Sequence, residues 1–342
     1  MSLLKGSSIL VTGGTGSLGG AFVDRLLQDP EHRPERIVVF SRDEAKQHSM
    51  RLRYLSTPIA TDEVTYSHTE SALRFAIGDV RDESSIDRHL GNIDFVVHAA
   101  AMKQVPTCEY SPHEAVATNV NGTMSLLKAV AKHASVKAVV SLSTDKACEP
   151  ASVMGMTKAI MERLMVAENL VNGRCRYLCV RYGNVIASRG SVLPLFAEQI
   201  ESGGPVTITD TKMTRFFITL DQAVDVILEA LVAGRAGEIL IPKLPSVRIV
   251  DLVKSMMGGE DIPIIFSGIR PGEKLHEFMV SAEEARRTVL RGSLLAIQPM
   301  LPEIESEVGS IEGAFGSASM VGNAETIRAM FSDHLVGNGT VL

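Results

Sequence analysis

The sequence predicts an α/β chain, a doubly wound parallel (Rossmann) sheet with a smaller C-terminal substrate domain. Three observations carry this. A short apolar run, Ser8-Ile9-Leu10-Val11-Thr12, passes directly into Gly13-Gly14-Thr15-Gly16-Ser17-Leu18-Gly19 and then into a helical pattern. Strand-length apolar runs then alternate with helical periods through residue 142. At 342 residues the chain suits one large or two closely joined domains. The boundaries read as 1–185 for the nucleotide half, with 216–242 returning to it. Residues 186–215 and 243–342 form the substrate half and a C-terminal tail.

The first element is a buried strand followed by Gly-x-x-Gly-x-x-Gly (Gly13, Gly16, Gly19) and a helix from Gly20 to Leu27. Glycine permits the tight turn and lets backbone N–H groups approach a pyrophosphate at the helix N-terminus. Placed between strand and helix at the start of the chain, the motif is a strong dinucleotide signal, involving Thr15, Ser17 and Leu18 as well. The second strand, Arg36–Phe40, ends at Ser41-Arg42-Asp43-Glu44, with Lys46 one turn on. An NAD site usually offers a carboxylate here. Ser41, Arg42 and Lys46 instead suit a 2′-phosphate, so NADP is favoured, while Asp43 keeps NAD possible.

Residues 55–71 read as a polar loop or hairpin. Arg74–Ile77 is the next strand, leading into Gly78-Asp79-Val80-Arg81-Asp82. In Asp94–Ala101 the small Ala99, Ala100 and Ala101 leave room for the cofactor, and His98 reads as a packing histidine. A polar loop follows, Met102–Pro106 with Glu109, in which Lys103 is a substrate or solvent-facing amine. Ala115–Lys132 is an amphipathic helix carrying Asn119.

The strand Ala138–Leu142 ends in Ser143-Thr144-Asp145-Lys146-Ala147, where open α/β sheets keep their chemistry. Met154-Gly155-Met156-Thr157-Lys158 follows and opens a helix running to Leu170. Tyr177–Tyr182 is the next strand, with Gly183-Asn184-Val185 as its exit. Arg189 in Ser188–Val192 can pair with phosphate, before a helix from Leu193 to Ser202. Short strands at Thr207–Thr209 and Met213–Phe216 bring a second phosphate candidate, Arg215. Asp221–Leu231 is a helix returning to the nucleotide half. Arg270-Pro271-Gly272-Glu273-Lys274 caps the substrate half. From Gly292 onward glycine and serine rise, which suggests a mobile lid or subunit-contact tail with a small helix at Ala324–Phe331.

A formal charge of −6 argues against nucleic acid as the main partner, without excluding a local pocket for a phosphorylated ligand. Cys108, Cys148, Cys175 and Cys179 lack metal-ligand spacing, and core packing as free thiols suits them. Ile9-Leu10-Val11 is too short for a signal-peptide core, and no segment approaches the ~18 apolar residues that span a bilayer. A cytoplasmic, soluble chain without a membrane span is expected.

TGGTGSLG, FSRDEAKQ, GDVRD, HAAAMKQVP, LSTDKA, MGMTK, RYGNV, SRGSVLPLF, TDTKMTRFF and RPGEKLHE lie in this order. Together they resemble the 5-inverting UDP-N-acetylglucosamine 4,6-dehydratases, in the extended short-chain dehydrogenase/reductase superfamily. The likeness runs from about residue 7 to 285. It implies oxidation at sugar C4, loss of water across C5 and C6, and return of the hydride to C6, with a tightly held nicotinamide. The superfamily's usual base, a tyrosine four residues before the lysine, is Met154 here; the chain is similar to the methionine-bearing soluble members, whose products feed surface polysaccharide and glycan synthesis.

The resemblance further implies Asp145 as acid toward the C6 oxygen and Lys146 as base at C5. Related dehydratases of dTDP-glucose carry a glutamate in place of that lysine. To act near neutrality Lys146 must lie below the ordinary lysine pKa of ~10.4, which burial and a cation such as Lys158 favour. Lys158 would hold the nicotinamide ribose; Lys158, Thr144 or a water between them takes the C4 proton. By the same likeness Asp79 sits beside the adenine with Val80, Asn119 braces the active-site strand, and Asn184, Val192, Arg270 and Glu273 hold the UDP-sugar. Homo-oligomers from dimer to hexamer are expected. A 4-epimerase on the same sugar and a non-catalytic NADP-binding sensor stay open; Asp145-Lys146 speaks against the first, which needs no acid–base pair at C5 and C6.

Overall fold

The computed structural model describes residues 4–30, 33–54, 72–186, 192–309 and 311–331; the polar loop expected at 55–71 lies outside the described residues. The chain opens with β1 (Ser8–Thr12), α1 (Ser17–Gln28), β2 (Arg36–Ser41), α2 (Glu44–Tyr54) and β3 (Leu73–Ile77). Next come α3 (Glu83–Asp87), β4 (Phe95–His98), α4 (Val105–Tyr110), α5 (Pro112–Ala115) and α6 (Gly122–Ala131). β5 (Ala138–Thr144), α7 (Val153–Val171), β6 (Arg176–Tyr182), β7 (Asn184–Val185), α8 (Val192–Glu201) and β8 (Val206–Ile208) follow. Then β9 (Thr214–Ile218), α9 (Leu220–Ala233), β10 (Ile239–Pro242), β11 (Ser246–Arg248) and α10 (Ile249–Met257) are built. The last elements are β12 (Ile264–Phe266), β13 (Phe278–Val280), α11 (Ala282–Ala285), β14 (Thr288–Arg291), β15 (Leu294–Ile297), β16 (Phe315–Gly316) and α12 (Ala324–Phe331).

One sheet of nine strands organises the chain, in the order β3-β2-β1-β4-β5-β6-β10-β15-β14. It is parallel from β3 to β10 and antiparallel at β15 and β14. Ile9, Leu10, Val11 and Val38 to Phe40 are buried because helices cover both faces, which explains their unbroken apolar runs. The strand order reverses between β1 and β4, and that switch point opens a crevice at the C-terminal strand ends. α9 returns to this layer, where Arg25 of α1 pairs with Asp221 and Asp225. All four cysteines are buried and unbridged. Among the described residues no helix is long and apolar enough to cross a membrane.

Three expectations need correction. Residues 243–342 do not lie wholly in a substrate half, because β14 and β15 complete the central sheet. Gly292, at φ 59°, makes the hairpin turn, and Leu294 to Ile297 are buried against β10. The described part of the tail is not a free lid either. Ile327 and Phe331 of α12 enter a second apolar cluster with Phe196, Val206, Phe217 and Leu252, and Phe331 meets Phe217 edge-on at 5.1 Å. The helix expected at 115–132 is divided: a π-helical turn at Val116–Asn121 separates α5 from α6. Such wide turns are frequent at functional sites, and this one carries Asn119.

Candidate active site

A cleft of about 780 Å³ follows the switch point, a volume that suits a dinucleotide and part of a second ligand. Gly13, Thr15, Gly16, Ser17, Leu18 and Gly19 form its floor. Gly13 has φ 66°, and a Cβ there would lie 2.7 Å from the Ala100 nitrogen; at Gly19 it would lie 2.6 Å from the Gly13 oxygen. Only glycine fits either position, and Gly16 caps α1 without a side chain. This backbone cradle at a helix N-terminus fits a diphosphate. Ser41, Arg42, Asp43, Lys46, Asp79, Val80, Ala99, Ala100, Ala101 and Lys103 line the same cleft.

Beside β2 and β3 Arg42 is well exposed and 3.9 Å from Asp79, while Lys46 pairs with Asp43 at 2.6 Å. Burial pushes the Asp79 carboxyl up, but hydrogen bonds from Arg81 outweigh it and hold it below the usual range. His98 is a packing residue: it bonds Thr12 and Thr123, and burial with Lys158 nearby lowers it to about 3.

The other end of the cleft is built on β5. Its last residue, Thr144, caps a 3-10 turn, Asp145–Ala147. The Lys146 Nζ lies 3.0 Å from Asp145 Oδ1, 3.5 Å from Asn184 Oδ1 and 3.5 Å from Glu277 Oε1. Asp145 is fully buried beside Lys146 and also accepts from Thr144 Oγ1 at 2.9 Å. Its Oδ2 has no hydrogen-bond partner. Burial disfavours charge on Lys146, but Asp145 and Glu277 more than offset it, and its pKa stands above the ordinary value. This overturns the expectation of a lowered lysine, and Lys158 is not among the groups that act on it. Lys158 is the amine that is lowered, to about 8, chiefly by burial. Its Nζ donates to the Leu142 carbonyl at 2.7 Å.

Thr144, Lys146, Met154, Lys158, Asn184 and Val192 all line the cleft. Met154 packs with Cys108 and Ala115 in a small apolar cluster, so no proton-bearing group occupies the tyrosine position. Asn119 does not line the cleft, contrary to its place among the cofactor-binding candidates. Its amide clamps both backbone groups of Met102 and donates to Thr157 Oγ1, tying the loop after β4 to α7. Arg215 is not presented to a phosphate: its guanidinium is buried and donates to the carbonyls of Thr214, Lys274 and Leu275. Glu273 lies 3.6 Å from Arg215, and Arg270 is exposed away from the cleft wall. Arg189 lies outside the described residues.

Sequence reasoning missed two groups. Glu277, 1% exposed, faces both Lys146 and Lys274, and it stands within the quoted RPGEKLHE run. Arg181 is buried between Glu162 and Glu284, and Glu162 accepts from Ser143 Oγ at 2.5 Å. Burial raises Glu284, but Arg181 wins and takes it to about 2. A charge inside the apolar run of β6 was the available signal, since buried charges are seldom unpaired.

The family described as "Polysaccharide biosynthesis protein" matches residues 9–299. The chain is 39% identical, over 89% of its length and 86% of the relative's, to a UDP-N-acetylglucosamine 4,6-dehydratase (inverting) of Campylobacter jejuni. It is 45% identical, over 81% and 78%, to a protein of Rickettsia canadensis named UDP-glucose 4-epimerase. Among solved structures, Pen from Bacillus thuringiensis superposes with TM-score 0.86 at 32% identity, covering 100% of both chains.

Proposed function

The chain belongs to the polysaccharide biosynthesis protein family, and we propose that it is an inverting UDP-N-acetylglucosamine 4,6-dehydratase with a catalytic nicotinamide cofactor. The observation that carries this reading is the Asp145–Lys146 contact at 3.0 Å just past β5, in which Lys146 lines the cleft and Asp145, fully buried, is not itself a lining residue. An epimerase moves hydride at C4 alone and has no use for that contact. A dehydratase needs one group to take the C5 proton and another to protonate the departing C6 hydroxyl.

The nicotinamide, when bound, stores the C4 hydride and returns it to C6. The neutral Lys158 amine takes the C4 hydroxyl proton, its lowered pKa suiting it to that task. Lys146 passes its proton across the 3.0 Å contact to Asp145 Oδ1, leaving a neutral amine beside a carboxylic acid. That amine removes the C5 proton, made acidic by the C4 ketone, while Asp145 protonates the leaving oxygen. The pair is thereby returned to ammonium and carboxylate, and C5 regains a solvent-derived proton on the face opposite Lys146, which is what inversion requires. Asn184, Val192 and Lys103, which line the cleft, are the residues this reading assigns to the UDP-sugar; Arg270 and Glu273 are not among the lining residues. Ser41, Arg42 and Lys46 favour NADP over NAD.

Mass spectrometry of UDP-N-acetylglucosamine turnover in heavy water tests this. Loss of one water with deuterium gained at C5 is expected. An epimer of unchanged mass would transfer the chain to the epimerases, and unchanged sugar despite bound cofactor would favour a sensor.

A further inference from the structure

We infer that Glu277 is a positioning residue of the acid–base pair: its carboxylate anchors the Lys146 amine directly and, through Lys274, the loop that carries it. The inference rests on the dehydratase reading and deepens it. Glu277 Oε1 is 3.5 Å from Lys146 Nζ, and Oε2 is 3.1 Å from Lys274 Nζ. Lys274 in turn donates to the carbonyls of Cys148 and Glu149, one turn past the catalytic pair. Glu149 has φ 46°, a backbone conformation a non-glycine residue keeps only where its surroundings hold it. A Cβ at Gly272 would come within 3.1 Å of the Ser152 Cβ, so the same loop runs close to the start of the helix that carries Lys158.

Glu277 is itself immobilised. Its N–H donates to Ser317 Oγ at 2.9 Å, and its carbonyl accepts from the Ser317 N–H at 2.7 Å. Its side chain is 2% exposed, and Oε2 makes no hydrogen bond of acceptable geometry. An apolar residue would fill such a site at lower cost, so packing alone does not account for a carboxylate there. What it does account for is charge. Lys146 faces Asp145 on its own turn, Asn184 on β7, Glu277 before β13 and Arg215 on β9. The two carboxylates favour the ammonium, while Arg215 and burial oppose it. Glu277 thus adds to Asp145 in holding the proton on Lys146 and sets part of the cost of its transfer to Asp145.

The test reads the amine itself. Ligand-free protein is pulsed with acetic anhydride across a pH series, and acetylation of Lys146 and Lys158 is quantified by peptide mass spectrometry. In Glu277→Gln the Lys146 midpoint should fall by about one pH unit or more, with the Lys158 midpoint unmoved and the alkaline limb of the dehydration rate following Lys146. Glu277→Asp, which keeps the charge but withdraws it, should give a smaller shift the same way; it serves if Glu277→Gln does not fold. An unmoved Lys146 midpoint in the folded variant overturns the inference. If the midpoint shifts but the wild-type protein never releases water, the Glu277 contact stands and the dehydratase reading falls.

Discussion

The two ends of the cleft are built by different means. The end proposed for the nucleotide is a contiguous run, Gly13 to Gly19, shaped by backbone and by the space left by absent side chains. The end proposed for the sugar is assembled from side chains on separate segments: the turn at Asp145–Lys146, β7 with Asn184, β9 with Arg215 and the loop from Glu273 to Glu277. The first is held by local geometry and tolerates little change in shape. The second is held by charge, and each member's protonation depends on its neighbours. Substitution should therefore damage the two ends in separable ways.

The largest effects should come from a matched pair of variants. Lys146→Ala is expected to lower dehydration by ~10²–10⁴-fold, the range for a general acid–base group, while cofactor affinity stays unchanged. Gly13→Ala should do the reverse. Its left-handed backbone and the 2.7 Å approach to Ala100 predict a loss of cofactor affinity together with about 1–3 kcal/mol of stability. Cofactor titration, turnover and thermal unfolding of both proteins check this. Equal loss of cofactor binding in the two variants would mean that the ends are not independent.

A middle-sized effect concerns Lys158, which lines the same cleft. Burial lowers it to about 8, against weaker opposing pulls from Cys179 and Glu162. At lower pH the ammonium dominates and cannot accept the C4 proton. Below pH 8 the rate of nicotinamide reduction on mixing with UDP-N-acetylglucosamine should rise about tenfold per pH unit, then flatten above it. Stopped-flow absorbance gives the profile directly. A flat profile from pH 6 to 9 would pass the task to Thr144 or water.

The same division explains what could be read from the amino-acid sequence. The glycine run and the strands through β6 are local patterns that occupy the expected places in the fold, and of the Asp145–Lys146 pair Lys146 lines the cleft while Asp145 is buried and absent from its lining. Glu277 sat inside a recognised motif, but its partner Lys146 comes from a remote segment, and nothing local links the two. Arg215 looked like an anion ligand because exposed and backbone-bound arginines share one letter; only its contacts with three carbonyls separate them. Asn119 lay on a helical pattern that could not reveal a π turn. β14 and β15 were hidden by the glycine and serine around them, since their apolar stretches gain meaning only beside β10.

The smallest effect tests the outer edge of the nucleotide end, where charge enters a site otherwise made of backbone. Arg42 is 60% exposed on its side chain and 3.9 Å from Asp79, so it is loosely held and free to turn toward a 2′-phosphate. A charge-assisted hydrogen bond to that phosphate contributes about 1.5–3 kcal/mol, which corresponds to roughly 10–100-fold in affinity. Solvent exposure places Arg42→Ala at the lower end, about tenfold weaker for NADP. Affinity for NAD, which lacks the phosphate, should change by less than about twofold. Fluorescence titration with each cofactor at two salt concentrations measures both, and the NADP loss should shrink as salt rises. Equal weakening of NAD and NADP would show that Arg42 acts through Asp79, shaping the adenine pocket, and that the preference for phosphate must be sought at Lys46.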